Sequence, residues 1–369
     1  MITRIFIVDY LGIHCGMHYY NDAFVKILSK LPETKVCVLS NYSIQKKEKA
    51  FFHYQYHGCK LYKLGCLILN YLILFSFVLR HRKECFIYLS YGNKIDLPFM
   101  WIISLVRKHL IDIHEAIAQN VDSNKRLKQA FRNLYTNRIK SVIVHSNRTD
   151  QFLNEYSYTG KRLYVPHFRY QFNKDCNMTE VQEEVVNAIT TKKTNILFFG
   201  NINFSKGIDI LIDAVNRLKP NIYEKVNVII AGKDFDHTIE TVKPKHPELF
   251  HIILRHINDS ELIYLYQNTD YVVLPYRKTS QSGILEMAFY FRKPIIASNI
   301  PYFEQVISKF PSFGVLGGNH ASTFAETLSA VIEQHTAMSF FSEDDWDNYI
   351  HRKEVEEFKK QLALWLTKS

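Results

Sequence analysis

The chain lacks the marks of several protein classes. Its six cysteines (Cys15, Cys37, Cys59, Cys66, Cys85, Cys176) show no C-x-x-C spacing and no paired histidine ligands. That excludes the common zinc-site patterns and fits a reducing cytosol. There is no G-x-x-x-x-G-K-[ST] phosphate loop, no G-x-G-x-x-G fingerprint and no recognised nucleic-acid motif. Residues 1–10 are a short apolar run without a small-residue cleavage site, so they read as a first strand and not as a cleavable signal peptide. No tandem repeat or low-complexity tract stands out. Acidic side chains are outnumbered, 36 Asp+Glu against 46 Lys+Arg, a formal charge of +10. This balance favours phosphorylated substrates, acidic lipid headgroups or nucleic acid without choosing among them. Apolar residues are plentiful, 47% of 369, which argues against disorder and suggests two domains with their own cores.

Long apolar runs are scarce too. Residues 61–79 come nearest, but Lys63, Gly65 and Asn70 interrupt them and leave a core run of 14 residues, 66–79. A spanning helix needs roughly 20, so a buried or membrane-grazing helix is expected. The basic, aromatic stretch 46–63 reads either as a solvated helix face with a loop or as a contact surface for an acidic membrane, continuous with 61–79 and Arg80 to Lys83.

Strand and helix patterns alternate along the chain. Strands are read at 5–8, 36–39, 85–89, 110–113 and 141–144, with helices at 19–31, 61–79, 98–106, 124–137 and from 148. The polar segment 169–194 shows no strand pattern. Alternation restarts with strands at 195–199, 226–231, 252–254, 271–275 and 294–298. The expected class is α/β, with two Rossmann-like doubly wound parallel-sheet domains facing across a cleft. The domains are read as 1–168, 169–194 as linker and peripheral helix, and 195–340. A helical end, 341–369, carries Val355, Phe358, Leu362 and Trp365 on one face and is expected to pack back on the first domain. In such folds the chemistry lies in loops after strands.

Two of those loops carry anion-site chemistry. After the apolar run 271–275 come Ser280, Gln281, Ser282 and Gly283, then a helix at 284–291. Ser282 is a plausible N-cap, Gly283 lets a ligand approach the backbone, and the first amides and the helix dipole favour a phosphate. In 197–207 a strand, Gly200, a short loop and Lys206-Gly207 lead into a helix, which puts a point charge beside another helix start.

At this point a resemblance emerges. FFGNINFSKGIDILIDAV, AGKD, RHINDSELIYLYQNTDYVVLPY, SQSGIL and KPIIAS resemble the C-terminal domain of family 4 glycosyltransferases. DIHEA, VHSN and VPH follow the same order in the first half, so the resemblance covers roughly 1–310. It implies the GT-B architecture, a nucleotide-sugar donor, metal independence and, for most relatives, retention of configuration. It implies that Lys206 contacts the donor diphosphate, that the Ser282 and Gly283 amides hold the distal phosphate, that Arg255 to Ile257 line the nucleobase, and that His114 lies near the transferred sugar. Gly200, Asn201, Tyr276, Arg277, Ser280, Gln281 and the acidic Glu304 complete the donor-side set. The early loop with Gly12, Gly16 and His18 would face the acceptor.

Departures from the family are explicit. Many relatives carry an arginine where Asn201 stands, and Arg277 or Arg255 is the expected substitute charge. The family's two glutamates fall at Thr279 and Met287. Glu286 is adjacent but not aligned, off the apolar face of its helix, and reads as a carboxylate near a helix N-terminus. Asp234-Phe235-Asp236 imitates a metal motif but follows a turn where Asp bonds locally, so no metal is expected. His145 and His167 read as hydrogen-bonded residues at the cleft edge.

The function expected is transfer of a sugar from a UDP- or GDP-sugar to a saccharide or lipid-linked saccharide hydroxyl. By resemblance the setting is surface polysaccharide synthesis, cytoplasmic or peripheral on the inner face of the membrane. No cofactor is expected beyond the nucleotide-sugar co-substrate. The alternatives are a nucleotide-sugar epimerase of similar fold, which needs cleft carboxylates for proton transfer, and a basic nucleic-acid-binding module.

Overall fold

The computed structural model describes residues 3–13, 16–43, 49–115, 124–170, 173–234, 237–334 and 338–367. Asp236 and Phe235 of the Asp-Phe-Asp turn, His14 and Cys15 of the early loop, residues 116–120 after His114, and Lys46 and Lys47 of the basic stretch lie outside the described residues. The chain divides into two compact units, Met1–Gln171 with Arg352–Ser369, and Phe172–His351.

In the first unit β1 (Thr3–Asp9), β2 (Thr34–Ser40), β3 (Cys85–Ser90), β4 (Lys108–Ile113), β5 (Ser141–Val144) and β6 (Lys161–Tyr164) form a parallel sheet in the order β2-β1-β3-β4-β5-β6. Every residue of β3 is buried, as a strand covered by helices on both faces must be. The helices are α1 (Met17–Leu28), α2 (Lys60–Arg80), α3 (Asp96–Ile103), α4 (Lys125–Asn137) and α5 (Asn147–Glu155). Asn124 and Ser146 cap the last two, each accepting first-turn N–H groups. Leu74 and Val78 of α2 enter the core with Phe6 and Phe86, while its Asn70 accepts from the His53 N–H at 2.8 Å and donates to the His53 carbonyl at 2.9 Å. The final helix, Lys353–Thr367, belongs to this unit. It buries Phe358, Leu362 and Trp365, and Trp365 Nε1 donates to Ser141 Oγ at 3.0 Å.

In the second unit β7 (Thr194–Phe199), β8 (Val226–Ala231), β9 (Phe250–Ile253), β10 (Tyr271–Leu274), β11 (Ile295–Ser298) and β12 (Gly314–Gly317) form a parallel sheet in the order β12-β11-β10-β7-β8-β9. Its main helices are α6 (Glu183–Asn187), α7 (Ile208–Val215), α8 (Asp259–Asn268), α9 (Gly283–Tyr290), α10 (Pro301–Lys309), α11 (Ala321–Glu333) and α12 (Glu343–Ile350). Ile196, Phe198, Ile230, Val273 and Ile296 of the sheet pack with Leu211 of α7 and Leu328 of α11. Residues 341–351, grouped by sequence with the last helix, lie in this unit. The Gly314–Gly317 strand has no counterpart among the strands read from sequence.

Strand order locates the sites. The succession of strands reverses between β1 and β3 in the first sheet and between β7 and β10 in the second. At such a switch the loops leave in opposite directions and open a crevice at the carboxyl ends of the strands.

Candidate functional site

In the second unit the two loops at the β7/β10 switch are laced together. The Arg277 N–H donates to the Ser205 carbonyl at 2.9 Å, and Arg277 Nη1 donates to the Phe204 carbonyl at 2.8 Å. The guanidinium lies 4.0 Å over the Phe204 ring, and Lys206 Nζ lies 3.8 Å over the Tyr276 ring. Gly207, at φ 67°, passes so close to Pro275 that a Cβ there would stand 1.9 Å from its carbonyl oxygen. This packing fixes the lysine beside the second loop.

That second loop opens α9. Ser282 Oγ accepts the Leu285 N–H at 3.2 Å, and the Ser282 carbonyl accepts the Glu286 N–H. The helix pattern leaves the N–H groups of Gly283 and Ile284 without an intrahelical partner, at the positive end of the dipole. Gly200, at φ 100°, ends β7 against the Ile284 side chain; a Cβ there would stand 2.9 Å from Ile284 Cδ1. The structure therefore brings Gly200, Lys206, Tyr276, Arg277, Ser282 and Gly283 to one corner. Thr279 Oγ1 donates to the Gln281 carbonyl at 2.5 Å and shapes the turn before the helix.

Both arginines named as substitutes for the family's charge are already paired. Arg277 donates through both terminal nitrogens to the Asp209 carboxylate, with Nη1 2.8 Å from Oδ1. Arg255 grips Glu261 through both terminal nitrogens, at 2.8 and 2.7 Å, and its Nε donates to Glu184 at 2.7 Å. Ile257 is buried in the same β9 loop. Glu304 is exposed on α10. Glu286 stands in the first turn of α9 as expected; although it lies off the apolar face, it is only 3% exposed and accepts from Tyr349 Oη of α12 at 2.6 Å. Asp234 accepts from the Thr238 and Ile239 N–H groups, so one acid of the metal-like turn is occupied with local bonds.

In the first unit the switch loops gather around Asp9 and Asp112. Asp9 accepts from the Leu11 and Gly12 N–H groups, from Asn21 Nδ2 at 2.7 Å and from Tyr91 Oη at 2.8 Å. Gly12 is held at φ 52° against the Asn41 amide, and Gly16 at φ 70° precedes α1. His18, in the first turn of α1, has its ring 4.0 Å from that of Tyr19 and tilted by 40° to it. The Tyr91 ring lies parallel to His114 at 5.6 Å, so the early loop and His114 are joined through one tyrosine.

His114 sits in a group that sequence reasoning saw only as separate residues. Tyr20 Oη donates to Asp112 Oδ2 at 2.7 Å, and its ring meets His114 edge-on at 4.3 Å. His145 places Nε2 2.5 Å from Asp112 Oδ1 and Nδ1 2.9 Å from the Val165 carbonyl, so both ring nitrogens face acceptors. Burial alone would raise the Asp112 pKa, but the charges of His145 and His114 outweigh it and hold the carboxylate below its usual range. His167 packs 5.1 Å from Tyr20, and burial followed by those two histidine charges keeps it well below the usual value, hence neutral at pH 7.

Asp112, His114 and His145 offer ligand atoms within 4.8 Å of one another. The 2.5 Å contact between His145 and Asp112 is nonetheless that of a hydrogen bond, whereas two ligands about 2.0–2.2 Å from one tetrahedral zinc stand roughly 3.3 Å apart. As arranged, the group is a buried hydrogen-bonded network.

Known proteins share this fold. Residues 181–360 match the family model "Glycosyl transferases group 1". No curated protein matches the sequence. The structure of HepE from Anabaena in complex with UDP and glucose superposes with a TM-score of 0.66 at 14% identity, covering 100% of both chains. WaaG, a glycosyltransferase involved in lipopolysaccharide biosynthesis, gives 0.65 at 13% identity over 99% of this chain and 100% of its own. A glycosyltransferase from Rickettsia africae gives 0.66 at 16% identity over 100% of both. These likenesses establish the GT-B fold.

Proposed function

We propose that this chain, a glycosyltransferase by its group 1 domain and GT-B fold, moves a sugar from a nucleoside diphosphate donor to a hydroxyl of a saccharide or lipid-linked saccharide. The observation that carries this is the laced corner at the β7/β10 switch, where the loop carrying Lys206 packs on the loop that opens α9, Lys206 Nζ against Tyr276 and Gly200 against Ile284, within the segment that matches the family. As the bond between the sugar C1 and the phosphate oxygen breaks, negative charge grows on the leaving diphosphate. A fixed ammonium and helix-start amides stabilise that charge without needing a metal ion. The acceptor hydroxyl attacks C1 from the same face, and its proton passes to the departing phosphate oxygen, which gives retention. His114 serves as a hydrogen-bonding group for the donor sugar, held in place by Tyr20 and Tyr91.

The diphosphate's charge falls mainly on Lys206, because Arg277 and Arg255 are bound to carboxylates. The setting we infer is the inner face of a cell membrane, in assembly of a surface polysaccharide. The basic charge of +10 and the likeness to WaaG support it. The test is turnover with a panel of UDP- and GDP-sugars. Lys206→Ala is expected to lower kcat by about two to three orders of magnitude, as loss of one transition-state charge partner does, with the melting temperature unchanged. Unchanged turnover would remove the assignment.

A further inference from the structure

Helix α2 shows a face that its own unit leaves uncovered. Its inner side is anchored by Leu74, Val78 and the Asn70 bonds to residue 53. Its outer side carries Leu61, Leu64, Ile68, Leu72, Phe75 and Leu79, all exposed, with Leu61 at 81% and Leu72 at 60%. The steps of three and four residues put these six on one stripe about 27 Å long. Of the 18 most apolar consecutive residues of this 21-residue helix, only 22% are buried. An ordinary core helix this apolar would be mostly covered.

Charge frames the stripe. Lys60 stands at one end, in line with Leu64 and Ile68, and Arg80, Arg82 and Lys83 at the other. No acidic residue occurs from 49 to 83. The helix does not span a bilayer, because withdrawing Leu74, Val78 and Asn70 would open the core they fill. A second copy of the chain is also a poor occupant. Whether two stripes run parallel or antiparallel, each basic end meets another basic end.

We propose that α2 is an interfacial helix that lies in the plane of an anionic membrane. The Leu61–Leu79 stripe enters the acyl boundary, and Lys60, Arg80, Arg82 and Lys83 pair with acidic phospholipid headgroups. This rests on the transfer reading only for the membrane-side setting. It adds the surface and the lipid chemistry, with the first unit carrying the contact.

The test is sedimentation of the full chain with vesicles of about 30 mol % phosphatidylglycerol in phosphatidylcholine, against phosphatidylcholine alone. The wild type is expected to bind the anionic vesicles and to be released by salt. Ile68→Glu with Leu72→Glu is expected to lower the bound fraction at least about tenfold, since a charged group on the buried stripe opposes insertion. The same variant should keep the wild-type thermal shift with UDP-sugars, which shows that it folds. If it does not fold, the variant with Arg80, Arg82 and Lys83 changed to Gln tests the charged end, with the same loss expected. Equal binding to neutral and anionic vesicles, undiminished binding by the variants, or a concentration-dependent dimer that the variants abolish would overturn the proposal. A protein that turns over donor without binding vesicles loses only this inference. One that binds vesicles and turns over no donor loses only the transfer chemistry.

Discussion

Asp112 is fully buried and accepts from Tyr20 while facing His145, so its removal strands a buried histidine and a buried hydroxyl together. Breaking a buried ion pair from one side costs about 3–5 kcal/mol, and Asp112→Ala is expected to cost that much in urea unfolding at neutral pH. The pH dependence has a definite sign. The folded carboxyl titrates below the 3.8 of an ordinary aspartate. Its contribution is therefore fully present above that value and is lost as pH falls below it toward the lower pKa of the folded state. The gap between wild type and variant should narrow in acid, and a gap independent of pH would contradict the ion-pair reading. Sequence spacing did not reveal this group, because Tyr20, Asp112 and His145 stand on three separate elements, with 92 positions between the tyrosine and the aspartate. The separate histidines and the strand ends that carry them were legible, and their convergence was not. The same limit applies to Arg277 and Arg255. Each looked available as a cation until the fold placed Asp209 and Glu261 against them.

Among the elements, α9 shows what periodicity tells and what it hides. Its start, its Ser282 cap and the strand before it follow from local chemistry, and the structure has all three. Glu286 lay off the apolar face by helical spacing, yet it is buried because α12 returns 63 residues later to cover it with Tyr349. Tyr349→Phe removes one donor from that carboxylate and is expected to cost about 1–3 kcal/mol of stability, read by denaturant unfolding, with donor turnover retained. A loss below about 0.5 kcal/mol would show that Glu286 does not depend on this bond. β12 escaped the sequence reading for another reason: Gly-Val-Leu-Gly is four residues with glycine at both ends, too short and too weak in strand propensity to stand out from a turn. By contrast, β3 and β8, buried along their whole length, were legible as continuous apolar runs.

At the scale of the whole molecule, two sheets with a reversal of strand order in each account for where the functional loops lie. The family match, 181–360, falls mostly on the second unit, while the structural likeness extends over the full chain at 8–16% identity. The corner proposed for the donor is thus carried by local motifs and the remainder by topology. A surplus of ten positive charges suits both a diphosphate ligand and an acidic lipid surface. The central claim is that a diphosphate docks on the corner made by Lys206 and the start of α9. Crystals soaked with UDP or GDP test it most directly. The account predicts phosphate oxygens within hydrogen-bonding distance of the Gly283 N–H and Lys206 Nζ, and a diphosphate bound elsewhere with that corner vacant would contradict it.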